Sequence, residues 1–169
     1  MLSFVVFHGD RPASDRPLRH AHLLGADSVP ASGDVWFEQG VIRCEKQSRE
    51  TCSLSLQVDL DAGELRRALG RDSDGELARL LRPMGSITLH TCLLPERERP
   101  YLLSLELARH RILLFLTKLE EWQMFDLPAG STEMRLFEAA RGAFTAALVS
   151  QRASSNAASS ASTAQATAR

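Results

Sequence analysis

Three side chains on one short stretch have the types and spacing for acid–base chemistry: Glu106, Arg109 and His110. Glu106 and His110 are four residues apart and Arg109 is three from Glu106, so on a helix all three share a face. A carboxylate that holds an imidazole charged can pass a proton, the arrangement a small hydrolase would need. The same groups sit in an otherwise apolar stretch, where an unpaired charge is costly, so they also describe a buried polar network. The network is the favoured reading, with Glu96 or Glu98 as further partners. No other nucleophile–base spacing occurs, and there is neither a glycine-rich phosphate loop nor a metalloprotease helix.

Soft metal ligands are the second constellation. Cys44, Cys52, His90 and Cys92 fall on expected strands, and a zinc site would need four such groups to converge. No C-x-x-C pair is present. The spacing of Cys44 and Cys52 is ordinary for neighbouring strands, so Cys52 reads as a small core hydrophobe and no metal is expected. His20 and His22 alternate on an expected strand, which would put both on one side of it. No cofactor is expected either.

Aromatic side chains are the third. Trp36, Tyr101 and Trp122 are the candidates for stacking against a sugar ring, with Phe37 and Phe125 nearby in sequence. Trp36 and Phe37 are adjacent on an expected strand, so one faces the core and the other outward.

The elements that would position these groups change character halfway along the chain. The first half reads as strands. Residues 2–8 form a short apolar run, and residues 11–17 a polar loop with two prolines. Residues 19–24 are a weak strand. Val35–Glu38 and Val41–Lys46 flank Gln39-Gly40, the strongest hairpin signal present. Residues 51–60 alternate Cys52, Leu54, Leu56, Val58 and Leu60 with Ser and Gln, as a half-buried strand does, and residues 86–92 repeat the pattern. Between them, leucines at three- and four-residue spacing mark helical segments within 61–69 and 74–81.

Helices dominate the second half. From Pro100, residues Tyr101, Leu105, Ala108, Ile112, Phe115, Leu119 and Trp122 make one stripe, and 112–116 is apolar all round, which predicts a mostly buried helix over about 100–122. A second helix is expected over 131–149, antiparallel to the first and packed on it and on the sheet. Residues 151–169 are rich in Ala and Ser, lack large apolar side chains and are expected to be a mobile tail. The expected fold is therefore α+β: one domain over 1–150, with an antiparallel sandwich-like sheet followed by two packed helices.

Composition narrows the function classes. At 169 residues the chain is too short for a hydrolase barrel, which takes about 250. A net charge of −1 argues against general nucleic-acid binding. No apolar run approaches the roughly 20 residues that span a bilayer. The first residues have no basic start and too short an apolar stretch for a signal peptide, so a reducing, cytoplasmic setting is expected. Three cysteines do not suggest a disulfide framework.

One stretch is distinctive as a sequence. Thr91-Cys92-Leu93-Leu94-Pro95-Glu96-Arg97-Glu98-Arg99-Pro100-Tyr101-Leu102-Leu103, followed by Glu106–Ile112 and Lys118–Trp122, resembles a segment of bacterial proteins classed with glycoside hydrolase family 10. The hairpin over 35–44 is similar to an earlier part of the same region. The resemblance covers most of residues 1–150. It implies an N-terminal ancillary domain that precedes a catalytic barrel in endo-1,4-β-xylanase-like proteins. Such enzymes retain configuration through two glutamates on barrel strands. This chain has no room for that barrel, so no catalytic residue carries over. The expected function is a non-catalytic module for carbohydrate contact or barrel docking, with xylan-type saccharides or the barrel as partner. The alternatives are a small interaction protein that dimerises through helix 101–122, and a small hydrolase using Glu106 and His110.

Overall fold

The structure, a computed structural model, describes residues 1–8, 11–14, 18–59 and 85–167. The fold is α+β: among the described residues there are two four-stranded, mostly antiparallel sheets and two helices that pack on each other. The chain divides into two compact units, Met1–Leu103 and Ser104–Arg169.

In the first unit, β1 (Leu2–Val5) lies between β7 (Val41–Lys46) and β10 (Tyr101–Leu102), and β6 (Gly33–Glu38) closes the other edge. The β6–β7 hairpin forms where the sequence places it, with Glu38 opposite Val41 across Gln39 and Gly40. Both turn residues have positive φ, 49° and 83°, the two-residue turn whose twist matches the flanking strands. The second sheet orders β5 (Pro30–Ala31), β4 (Arg19–Leu24), β8 (Ser53–Asp59) and β9 (Ser86–His90). A two-stranded ribbon joins β2 (Phe7–His8) to β3 (Arg11–Pro12). The expected loop over 11–17 therefore opens as a strand, which tolerates Pro12 because the ribbon has a free edge on which a missing N–H costs nothing.

Alternation puts Leu2 and Phe4 on the same face as Ile42 and Cys44, and all four are fully buried. Leu23, Leu54 and Leu56 supply the buried face of the other sheet. Gly33 lies against Leu23, where a side chain would collide with the Glu45 carbonyl, so the close approach requires glycine. Strand β8 departs from the half-buried expectation: Ser53 and Ser55 are buried along with the leucines, so both faces of its first half are covered.

The second unit is built on helices α1 (Leu103–Glu121) and α2 (Thr132–Thr167). Helix α1 begins later than its periodicity suggests, because Tyr101 and Leu102 pair in parallel with Phe4 and Val5 of β1. Ser131 caps α2, its hydroxyl accepting from the Met134 N–H at 3.2 Å. Phe115 of α1 stacks on Phe137 of α2 at 4.7 Å, while Arg109 lies 5.5 Å from the Phe144 ring. Moving down α1 means moving up α2, so the helices run antiparallel. Helix α2 continues to Thr167, taking in the Ala/Ser-rich segment. The expectation that 112–116 is buried on most of its girth fails: Leu113 and Leu116 are 53% and 46% exposed. The expected helical segments at 61–69 and 74–81 lie outside the described residues, and none of the described helices is long and apolar enough to cross a membrane.

Candidate functional site: an apolar groove on the helical pair

The three carbohydrate candidates do not form one surface. Tyr101 is 6% exposed; its hydroxyl donates to the Pro95 carbonyl at 2.9 Å, and its ring is tilted on Phe4 at 5.9 Å. The Arg97 guanidinium lies 3.4 Å from the ring centroid. With the Phe4 ring and Arg97 both against it, Tyr101 is a core residue and offers a sugar no free face. Trp36 is half-buried on β6, opposite Arg43, whose guanidinium is ion-paired with Glu38 at 3.0 Å. Trp122 is 65% exposed at the end of α1.

The polar constellation comes together in part. Glu106 is 5% exposed, and Arg109 forks onto it, with Nε 3.0 Å from Oε2 and Nη2 3.4 Å from Oε1. Both carboxylate oxygens are thereby held by one guanidinium, which itself stays half in solvent. His110 lies half-buried one turn from Glu106. The carboxylate is thus bound up in an ion pair within the helical unit.

Cys44 and Cys52 are both buried, and among the described residues no three of His, Cys, Asp and Glu gather as a metal site would need. Burial pushes the Cys44 thiol up to about 12, with a smaller contribution from Cys52. The strand that carries His20 and His22 is irregular between them. His20 has a φ of 48°, and the pairing with β8 shifts between Arg19 and His22, as at a bulge. The His22 Nδ1–H donates to the His20 carbonyl at 2.8 Å.

The concave feature of the helical unit lies elsewhere. Ala108, Ile112 and Phe115 of α1, with Leu136, Phe137 and Ala140 of α2, line a groove of about 490 Å³. Arg111 and Glu133 complete its lining with one charge of each sign. The groove exists because the stacked phenylalanines hold the helices together while small residues, Ala108 and Ala140, leave the space beside them unfilled. Trp122 lies outside this lining, seven residues on from Phe115, with its N–H still bonded to the Lys118 carbonyl at 3.0 Å. The sequence pattern contains the signal for this groove, in the α1 stripe and in the alanines beside the α2 stripe. It does not reveal that a groove is left open beside the Phe115–Phe137 stack.

No family model, no curated protein and no solved structure matches this chain.

Proposed function

We propose that the chain is a non-catalytic ancillary module of the kind its resemblance to family 10-like proteins implies, and that it works by docking protein through the groove on α1 and α2. The observation that carries the docking half is the groove itself, an open and mainly apolar concavity between α1 and α2. Monomeric proteins rarely leave contiguous apolar surface in water without a contact to make. Sugar contact is the weaker half, since Tyr101 is enclosed and a saccharide platform needs accessible aromatic faces alongside polar groups.

Two titrations of the full chain at sub-micromolar concentration separate the halves. 1-Anilinonaphthalene-8-sulfonate, an apolar fluorophore, is expected to brighten on binding, and Leu136→Glu to remove most of that gain. Xylohexaose at millimolar concentration is expected to leave tryptophan emission unchanged. A saccharide-dependent change in emission with no fluorophore binding would overturn the docking reading.

A further inference from the structure

We infer that the outer edge of β6 is a second docking surface, independent of the groove, and that it takes an extended peptide with basic side chains, added as a further strand. β6 ends its sheet. Gly33–Glu38 pairs with β7 on one side, and among the described residues no backbone hydrogen bond reaches its other side. A row of unpaired N–H and C=O groups is a template for another chain unless the edge is short, bulged or broken by proline. β5 and β10 are blunted in that way: each is two residues long, and β5 opens on Pro30. β6 has six residues, no proline and an unbroken register with β7.

Both faces of the strand are unfinished, and together they specify the occupant. On the inner face, Ile42 and Cys44 of β7 are fully buried, whereas Phe37 and Val35, opposite them on β6, are only half-buried. The core therefore stops one strand short of full cover. On the outer face Asp34 stands directly opposite Glu45; both are exposed, and neither makes an ion pair with a described residue. Like charges facing each other across two strands are destabilising. A strand with Lys or Arg beside Asp34 relieves that repulsion, and apolar side chains at its alternate positions cover Val35 and Phe37. A second copy of β6 is disfavoured, because it would bring another Asp34 and Glu38 to an edge that is already acidic.

Fluorescence anisotropy on the full chain tests this, with fluorescein-labelled peptides Lys-Val-Thr-Val-Lys, Glu-Val-Thr-Val-Glu and Lys-Pro-Pro-Pro-Lys. The first is expected to bind with a submillimolar Kd at low salt. The other two are expected to bind at least about tenfold more weakly, the second for its charge and the third for its missing N–H groups. Asp34→Lys, at an exposed position, is expected to weaken the first peptide about tenfold and to remove its advantage over the second. Leu136→Glu, on the groove, is expected to leave these affinities unchanged, so the edge and the groove fail separately. No binding of the first peptide at millimolar concentration, equal binding of all three, or loss of binding in Leu136→Glu would overturn the inference. A dimer of the full chain that the first peptide dissolves would overturn it in favour of a second copy.

Discussion

Single residues show where chemistry stops and packing takes over. Cys44 is the clearest case, because its thiol is held neutral by burial up to about pH 12, against an ordinary value near 9.0. In the unfolded chain that thiol ionises as pH rises past its ordinary value, while in the folded chain it stays protonated. Its contribution to stability is therefore complete below about pH 9 and is lost progressively up to about pH 12, at about 1.4 kcal/mol per pH unit. Urea midpoints at pH 7.5 and 10.5 are expected to fall more for wild type than for Cys44→Ala; parallel falls would refute the assignment. Tyr101 makes the complementary point. Its spacing from Leu105 and Ala108 puts it in the helical stripe, yet it folds as a strand residue, because Phe4 and the Pro95 carbonyl claim its ring and hydroxyl. Periodicity counts spacing along the chain and is blind to partners 97 and six residues away in sequence.

At the scale of elements, local chemistry was legible wherever a turn or cap decides the outcome. Gln39-Gly40 and Ser131 do what their residue types call for. Gln39 nevertheless holds a left-handed conformation that costs a non-glycine residue about 1 kcal/mol. Gln39→Asn is expected to stabilise the chain by about 0.5 kcal/mol and Gly33→Ala to destabilise it by about 3 kcal/mol. Urea denaturation measures both, and opposite signs would mean that the hairpin is not held as described. The bulge at His20 and the burial of Ser53 and Ser55 were not legible, since both depend on what lies across or over the strand. For α1 the all-round apolar run suggested burial, but a run of leucines specifies only that a cover is needed. Leu113 and Leu116 remain exposed in the single chain.

For the whole molecule, the α+β class and the helical pair followed from the change of period between the two halves of the chain. The residues singled out for chemistry are taken up by packing and pairing: Glu106 is held by Arg109, Tyr101 is enclosed, and Cys44 and Cys52 are buried. Among the described residues, a groove beside the Phe115–Phe137 stack is open on the helical pair. The central claim is that this groove docks protein through its apolar lining, and titration with 1-anilinonaphthalene-8-sulfonate tests it most directly. The wild type is expected to brighten the fluorophore, and Ala140→Glu, at an exposed lining position, to lose most of that gain while keeping its helical circular dichroism. A wild type that leaves the fluorophore dark, or a variant that binds it as the wild type does, would contradict the account.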